Sequence, residues 1–548
     1  VQNIEMVQKG AWPMRFEHGE ARRRLEAGEW TGRTIVDYVL ERVRDHPDTV
    51  AFVDDAGSRT FGEIYEEACA VARGLLELGL EPGETISFQL PNWLETAAVS
   101  LACARAGFVL NPIIPIYRQS ELRFILNDCR SRAVFVPRSF RNVDFVEMIE
   151  EVRPEALSLE HVFVVRGAPG EQTSYEKLIE IGRASLRTFD PVDPDSAKFI
   201  IYTSGTTAQP KGVIYSHNQA RRPLWAAAKA WQLEEGTKVF MPSPVTHVTG
   251  YLLGLDMVFL FGTQTYLMEK WDAAQAVELI DRFGLEFTLG ATPFLAEMAH
   301  EAAKVGSGLP SLRIFPCGGA AVPPELIRRT ARIFSNCRAF RVYGSSECPL
   351  VTLGCPDDAE LSATTDGRVY DWDVKIVDAE GATLPPGSEG EILAKGPALF
   401  RGYTSLEANR DSFDGDGYFR TGDLGMLNDD DVITITGRKK DIIIRGGENL
   451  SAKEIEDALH EHPAVRAASV VAMPHERLGE GVCAYLIPVD AERPTVGEMK
   501  SFLVAKGLAR QKCPEHIEYV EQFPTTASGK IQKHILRKMI FEKISSRP

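Results

Sequence analysis

The chain has no C-x-x-C pair, and its nine cysteines (Cys69, Cys103, Cys129, Cys317, Cys337, Cys348, Cys355, Cys483 and Cys513) are scattered and odd in number. That pattern argues against a disulfide framework and a zinc site, and it suits a reducing compartment such as the cytoplasm. Positive charge is not in surplus: 61 Lys and Arg face 77 Asp and Glu, for a net charge of −16. Nucleic acid and anionic membrane surfaces are therefore not expected partners, and any phosphate ligand must be met locally. Long apolar runs are also missing. Stretches such as YLLGLDMVFLF from Tyr251 are short and carry a charge, and the N-terminal VQNIEMVQKGAWPMRFEHG has no signal-peptide core, so no membrane span is expected. Neither a solenoid-type repeat nor a low-complexity tract interrupts the chain.

What remains is a long, ordinary globular composition. At 548 residues one core is not enough, and several units are expected. Helical and strand signals alternate over residues 35–340: TFGEIYEEACAVARGLLELGL has helical apolar spacing after a Thr cap, TISFQL reads as a strand, and WLETAAVSLACARAGFVL is helical again. Such alternation implies α/β layers with mainly parallel sheets. Residues 366–437 are instead dense in short β-like runs (DVKIVD, GEILAKG, VITITGR) separated by Gly, Pro and Asp turns, which predicts a β-rich subdomain. From Arg438 the balance of charge turns slightly basic, and a strand, a Gly-Gly turn and a helix capped near Ser451 open a compact α+β unit over 438–548. The expected organisation is a large α/β N-terminal domain, 1–437, and a small α+β C-terminal domain, 438–548.

One loop carries most of the chemical signal. FIIYTSGTTAQPKGVIYSH, residues 199–217, places hydroxyls, glycines and a lysine between two runs that read as hairpin strands. It is not a Walker A loop: Pro210 stands where the second glycine belongs, Gly212 follows Lys211 where Ser or Thr is required, and no helix opens at the lysine. The hydroxyls of Thr203, Ser204, Thr206 and Thr207 must then supply donors to an anion. Four further polar islands follow: CGGAAV at 317–322, VYGSSECP at 342–349, YFRTGDLG at 418–425 and PTTASGKIQK at 524–533. Each alone is a turn with a solvated polar group.

Together, in this order and spacing, they resemble the adenylate-forming superfamily of acyl-CoA synthetases, luciferases and peptide-synthetase adenylation domains, across nearly the whole chain. QLPNWLETAAVSLACARAGFVLNPIIPIYR (89–118), PSPVTHVTGYLLG and ATPFL look most like cyclohexanecarboxylate-CoA ligases and related acyl/aryl-CoA ligases. Ala208 departs from the family loop, where Gly is usual, and removes a positive-φ option without removing a donor. The resemblance implies a two-step ligase with ATP, Mg²⁺ and coenzyme A: a carboxylate attacks the α-phosphorus and expels pyrophosphate, then a thiol displaces AMP. Both reactants of the first step are anionic, so positioned donors and cations must offset their repulsion.

By the same resemblance, Thr203, Ser204, Gly205, Thr206, Thr207 and Lys211 hold the β- and γ-phosphates; Glu347 holds Mg²⁺; Gly344 belongs to the nucleotide site, and Ser345 or Ser346 reaches the α-phosphate. Asp423 and Arg438 take the ribose, and Gly318, Gly319, Ala320 and the Tyr343 ring sandwich adenine. Lys530 is the expected catalytic cation of the first step, supplied by a mobile small domain that swings at Lys440, in a hinge at 438–441, and then presents Gly446 and Gly447 to the thiol arm. His247 is expected at the gate between carboxylate and thiol. Val248, Thr249, Gly250, Ala291, Thr292, Cys348 and Leu350 are candidate walls for a compact alicyclic, aromatic or medium-chain acid, being small or apolar. A carrier protein in place of coenzyme A is the alternative acceptor, and the resemblance allows a homodimer.

Overall fold

In the computed structural model, which describes residues 4–9, 12–203, 210–490, 493–526 and 530–545, the α/β expectation is met by two seven-stranded, mainly parallel sheets. The first runs in the order Thr173–Ser174, His161–Val165, Ser131–Pro137, Thr85–Phe88, Val109–Pro112, Ala197–Thr203, Lys211–Ser216; only its last pair is antiparallel. The second runs Arg338–Val342, Ile314–Gly318, Phe287–Thr288, Lys238–Met241, Gln264–Leu267, Val50–Asp54, Gly57–Thr60, again with one antiparallel edge pair. One hydrophobic core joins them, with Trp231, Phe340, Phe199, Tyr215 and Tyr251 among its buried members.

Local sequence accounts for the boundaries. Helix Phe61–Glu77 starts where Thr60 and Glu63 satisfy each other's backbone N–H groups. Its neighbour Tyr175–Ala184 lies so close that a Cβ on Gly182 would sit 1.7 Å from the Ala70 carbonyl oxygen. The predicted helix through 93–110 is shorter than expected: it stops at Ala106, because Gly107 takes the left-handed conformation (φ 75°) and Val109–Pro112 enters the sheet.

The β-rich segment is a five-stranded antiparallel sheet in the order Gly367–Arg368, Val432–Arg438, Phe419–Leu427, Gly390–Lys395, Asp373–Val377. After it, Ile443–Arg445 pairs with Glu448–Leu450 around the Gly446–Gly447 turn, a short hairpin strand that the helix cap at Ser451 obscured. Strands Val465–His475, Gly479–Pro488 and His516–Tyr519 complete the last sheet, and both cores of this lobe draw on residues from Ile443 onward.

Candidate active site

The ends of the second sheet and the small lobe line a cleft that is open to solvent. At its nucleoside end, strand Ile314–Gly318 runs into Gly318 and Gly319. A Cβ on Gly318 would meet the Val342 carbonyl oxygen at 2.4 Å, and Gly319 has φ +77°, so a bare backbone ledge faces the cleft. Asp423 is not in a turn, as its flanking glycines suggest. It lies on strand Phe419–Leu427, in register with Arg438, beside a bulge at Leu424 and Gly425. It is 4% exposed; Arg438 Nε lies 2.8 Å from Oδ1, and the Tyr343 hydroxyl donates to Oδ2 at 2.9 Å. Asp423 raises the Arg438 pKa above its usual value. Asp423 and Tyr343 are thus buried together and tied to the exposed Arg438, with the Tyr343 ring on the cleft wall. Ala320 is beside this ledge but not on the wall.

Toward the phosphate end, the hairpin is real: Thr203 and Lys211 face each other across the last rung of Ala197–Thr203 and Lys211–Ser216. Ser204, Gly205, Thr206 and Thr207 lie outside the described residues. The Lys211 ammonium is 5.0 Å from the centre of the Tyr403 ring. The Tyr403 hydroxyl donates to Glu347 Oε1 (2.8 Å) and the Ser345 hydroxyl to Oε2 (2.9 Å), while Ser345 Oγ accepts the Glu347 and Cys348 backbone N–H groups. Tyr403, which holds Glu347, was not singled out from the sequence. It stands alone in RGYTSLE, 56 residues from Glu347, and its one available signal is that a buried aromatic hydroxyl needs a partner.

Lys530 enters the same cleft from the small lobe. Its backbone is tied to Thr526: Thr526 N–H donates to the Lys530 carbonyl (2.8 Å) and Lys530 N–H to the Thr526 hydroxyl (3.1 Å), while residues 527–529 lie outside the described residues. A Cβ on Gly319 would lie 3.7 Å from its Cε. Burial, then the charge of Arg438, draws its pKa down to about 8 against the opposing pull of Glu347 and Asp423. His247, whose carbonyl accepts from Tyr251 N–H, caps a helical segment that begins at Val248; burial and the Lys530 charge push its pKa down to about 3, so its ring is neutral.

Of the expected acid-pocket walls, Val248, Thr249, Ala291 and Leu350 line the cleft, joined by Gly344, Ser345 and Ser346. Three do not. Gly250 is buried against Pro244, whose carbonyl oxygen would be 2.2 Å from a Cβ; the Thr292 hydroxyl is spent on the Ala321 carbonyl (2.8 Å); and Cys348 is sealed behind Ser345, its thiol pushed up to about 12 by burial. Leu252, Leu253, Leu289, Phe294 and Val342, none singled out in sequence, supply the remaining apolar wall. Apolar periodicity does not separate pocket from core, which is why they were illegible. Gly446 (φ 61°) and Gly447 (φ 89°) are outside the cleft, in the small lobe's hairpin turn, and Lys440 is in the connection between lobes.

Among the described residues no cluster of three or more His, Cys, Asp or Glu could hold a metal unaided. A single oriented carboxylate, Glu347, fits Mg²⁺ that arrives with phosphate oxygens. The bare backbone ledge and the Asp423 carboxylate fit a nucleoside, and the adjoining apolar pocket fits an organic acid. Fold and cleft together define an enzyme that activates a carboxylic acid with a nucleotide.

The comparisons agree. The AMP-binding enzyme model matches residues 39–404 and the AMP-binding enzyme C-terminal domain model residues 454–530. This chain belongs to the AMP-binding enzyme family, the adenylate-forming superfamily of acyl-CoA and aryl-AMP ligases. It is 35% identical over 526 residues to the medium-chain fatty-acid–CoA ligase of Escherichia coli (strain K12), covering 95% of this chain and 93% of that one. It is 30% identical over 543 residues to the 2,3-dihydroxybenzoate-AMP ligase of Bacillus subtilis (strain 168), covering 98% of each. The crystal structure of ATP-bound MatB from Rhodopseudomonas palustris matches with a TM-score of 0.82 at 25% identity, covering 92% of this chain and 99% of that one. No helix among the described residues is long and apolar enough to cross a membrane.

Proposed function

We propose that this chain is an ATP-dependent acid–thiol ligase that adenylates a compact apolar carboxylic acid and passes the acyl group to coenzyme A. The observation that carries the reading is Lys530, a small-lobe cation standing between the nucleoside ledge and the apolar wall, where an attacking carboxylate and an α-phosphate would meet. In the first step a carboxylate oxygen bonds to the α-phosphorus, the bond to the pyrophosphate oxygen breaks, and acyl-AMP forms. Lys530 offsets the repulsion between the two anions and holds them in line. Asp423 accepts the ribose hydroxyls, Arg438 and Tyr343 keep it aimed, and the 203–211 loop with Lys211 takes the departing pyrophosphate. Glu347 would hold Mg²⁺, which supplies charge neutralisation at the phosphates when bound.

The second step needs space for pantetheine where Lys530 stands. A rotation of the lobe beyond residue 437 about Lys440 removes the lysine and brings Gly446 and Gly447, which present no side chain, to the cleft. The thiol then adds to the acyl carbonyl with loss of its proton, and AMP leaves. Neutral His247, near both reacting centres, is suited to accept that proton. Apart from Lys530, the described residues of the pocket wall carry no charge to pair with a second carboxylate or an amine, which supports an alkyl, alicyclic or aromatic acid.

The second reading, transfer to a carrier protein, is favoured by one observation, the 30% identity to an aryl-AMP ligase. A panel of hexanoate, octanoate, cyclohexanecarboxylate, benzoate and 2,3-dihydroxybenzoate, assayed for pyrophosphate exchange and then for thioester with free coenzyme A, separates the two. Thioester with free coenzyme A is expected. Exchange without thioester would favour the carrier, and exchange with none of the acids would overturn both.

A further inference from the structure

One buried ion pair lies outside the cleft wall and has no part in the chemistry above. Lys198, on strand Ala197–Thr203, pairs with Asp256, the last residue of a π-helical turn at Tyr251–Asp256. Their side chains are 3% and 4% exposed, and no other ion pair among the described residues has both partners under 5%. The Lys198 ammonium is 4.9 Å from the centre of the Tyr251 ring, and the Tyr251 hydroxyl is held by the Ser100 hydroxyl at 3.0 Å. Fully buried His217, whose ring nitrogens have no hydrogen-bond partner among the described residues, is kept neutral by burial and by the Lys198 charge.

Replacing a buried ion pair by well-packed apolar side chains is often neutral or stabilising, so stability is a weak reason for the pair. What it joins is more telling. Lys198 is at the start of the strand that ends at Thr203, beside the loop assigned to phosphate. Asp256 closes the turn whose Leu252 and Leu253 form part of the acid-binding wall. A π turn closes its hydrogen bonds one residue later than an α turn and is frequent at functional sites. This one is pressed against strand Lys238–Met241, where a Cβ on Gly254 would meet Met241 Cγ at 2.8 Å.

We propose that the Lys198–Asp256 pair is a positioning device that anchors this turn to the sheet and so sets the shape of the acid pocket, making both residues determinants of which acid is accepted. The inference rests on the acid-activating function proposed above. Strand Ala197–Thr203 is independently held by its ladder with Lys211–Ser216, so the nucleotide end is expected to be indifferent to loss of the pair.

The test is acid-dependent pyrophosphate exchange over a series from butyrate to decanoate plus benzoate, for the wild type, the charge-free double variant Lys198→Met/Asp256→Leu, and Asp256→Glu. Both variants are expected to change the ratio of kcat/KM between the best acid and its neighbours by about tenfold, the scale of one methylene in a shaped pocket, with the KM for ATP unchanged. If the double variant does not fold, Asp256→Glu, which keeps the charge and adds one methylene, decides by the same ratio. An unchanged acid ranking, or a fall in melting temperature with the ranking intact, would mean a purely structural pair and overturn the inference. A wild type that exchanges pyrophosphate with no acid would instead overturn the function on which it rests, and the inference with it.

Discussion

Lys530, on the cleft wall, and Asp423, bonded to the Tyr343 hydroxyl behind that wall, are held in opposite ways. Asp423 is a strand residue in register with Arg438, and both of its carboxylate oxygens are engaged, by a guanidinium and a phenol. Lys530 is tied through its backbone to Thr526, and its lobe meets the large one through ties such as the Ser451 hydroxyl to the Thr436 carbonyl (2.6 Å). A nucleoside must stay bound through both half-reactions, whereas the cation that activates the acid is needed in only one. Rigid burial suits the first task and a detachable lobe suits the second.

The comparison breaks most sharply at Lys530→Ala. Adenylate formation, measured by pyrophosphate exchange, should fall by about 1,000-fold, the scale of losing a preorganised electrostatic group, while thioester formation from supplied acyl adenylate stays near wild type. Equal loss of both steps would make Lys530 part of the fixed framework.

A pH profile comes next in size. With the Lys530 pKa near 8 the cation is present below that pH and lost above it, so kcat/KM for adenylation should fall by about tenfold per unit beyond pH 8. Lys530→Arg should remove that break, because guanidinium stays charged. A wild-type profile flat to pH 10 would contradict the role of the cation.

The smallest effect belongs to Tyr403→Phe. It removes one hydrogen bond to Glu347, worth about 1 kcal/mol, and should raise the Mg²⁺ requirement by about fivefold with little change in the KM for the acid. Mg²⁺ dependence identical to wild type would show that Ser345 alone orients Glu347.

The same two regions show how far the sequence could be read. Features fixed by neighbours in the chain were legible: the Thr60 cap and the hairpin entered by Ile200 and Ile201; the Gly-rich turn expected before Lys530 falls at 527–529, outside the described residues. Features fixed by long-range pairing were not. Asp423 looked like a turn residue because Gly422 and Gly425 flank it, yet β-pairing with Arg438 overrides that local preference. Lys198 and Asp256 are 58 residues apart, each inside an apolar run, and only the packed fold makes them partners. Gly446 and Gly447 were read as part of a site they do not touch in this arrangement of the lobes, since their expected role belongs to another one.

That second arrangement is the most direct point of test. Spin labels at Val305→Cys on the large lobe and Val489→Cys on the small one, both at exposed positions (63% and 50%), report the distance between lobes. With ATP and acid one distance should dominate, and adding coenzyme A to the acyl-adenylate complex should populate a second, distinct distance. A single distance unchanged between the two states, in an enzyme that completes both half-reactions, would contradict alternation of the lobes.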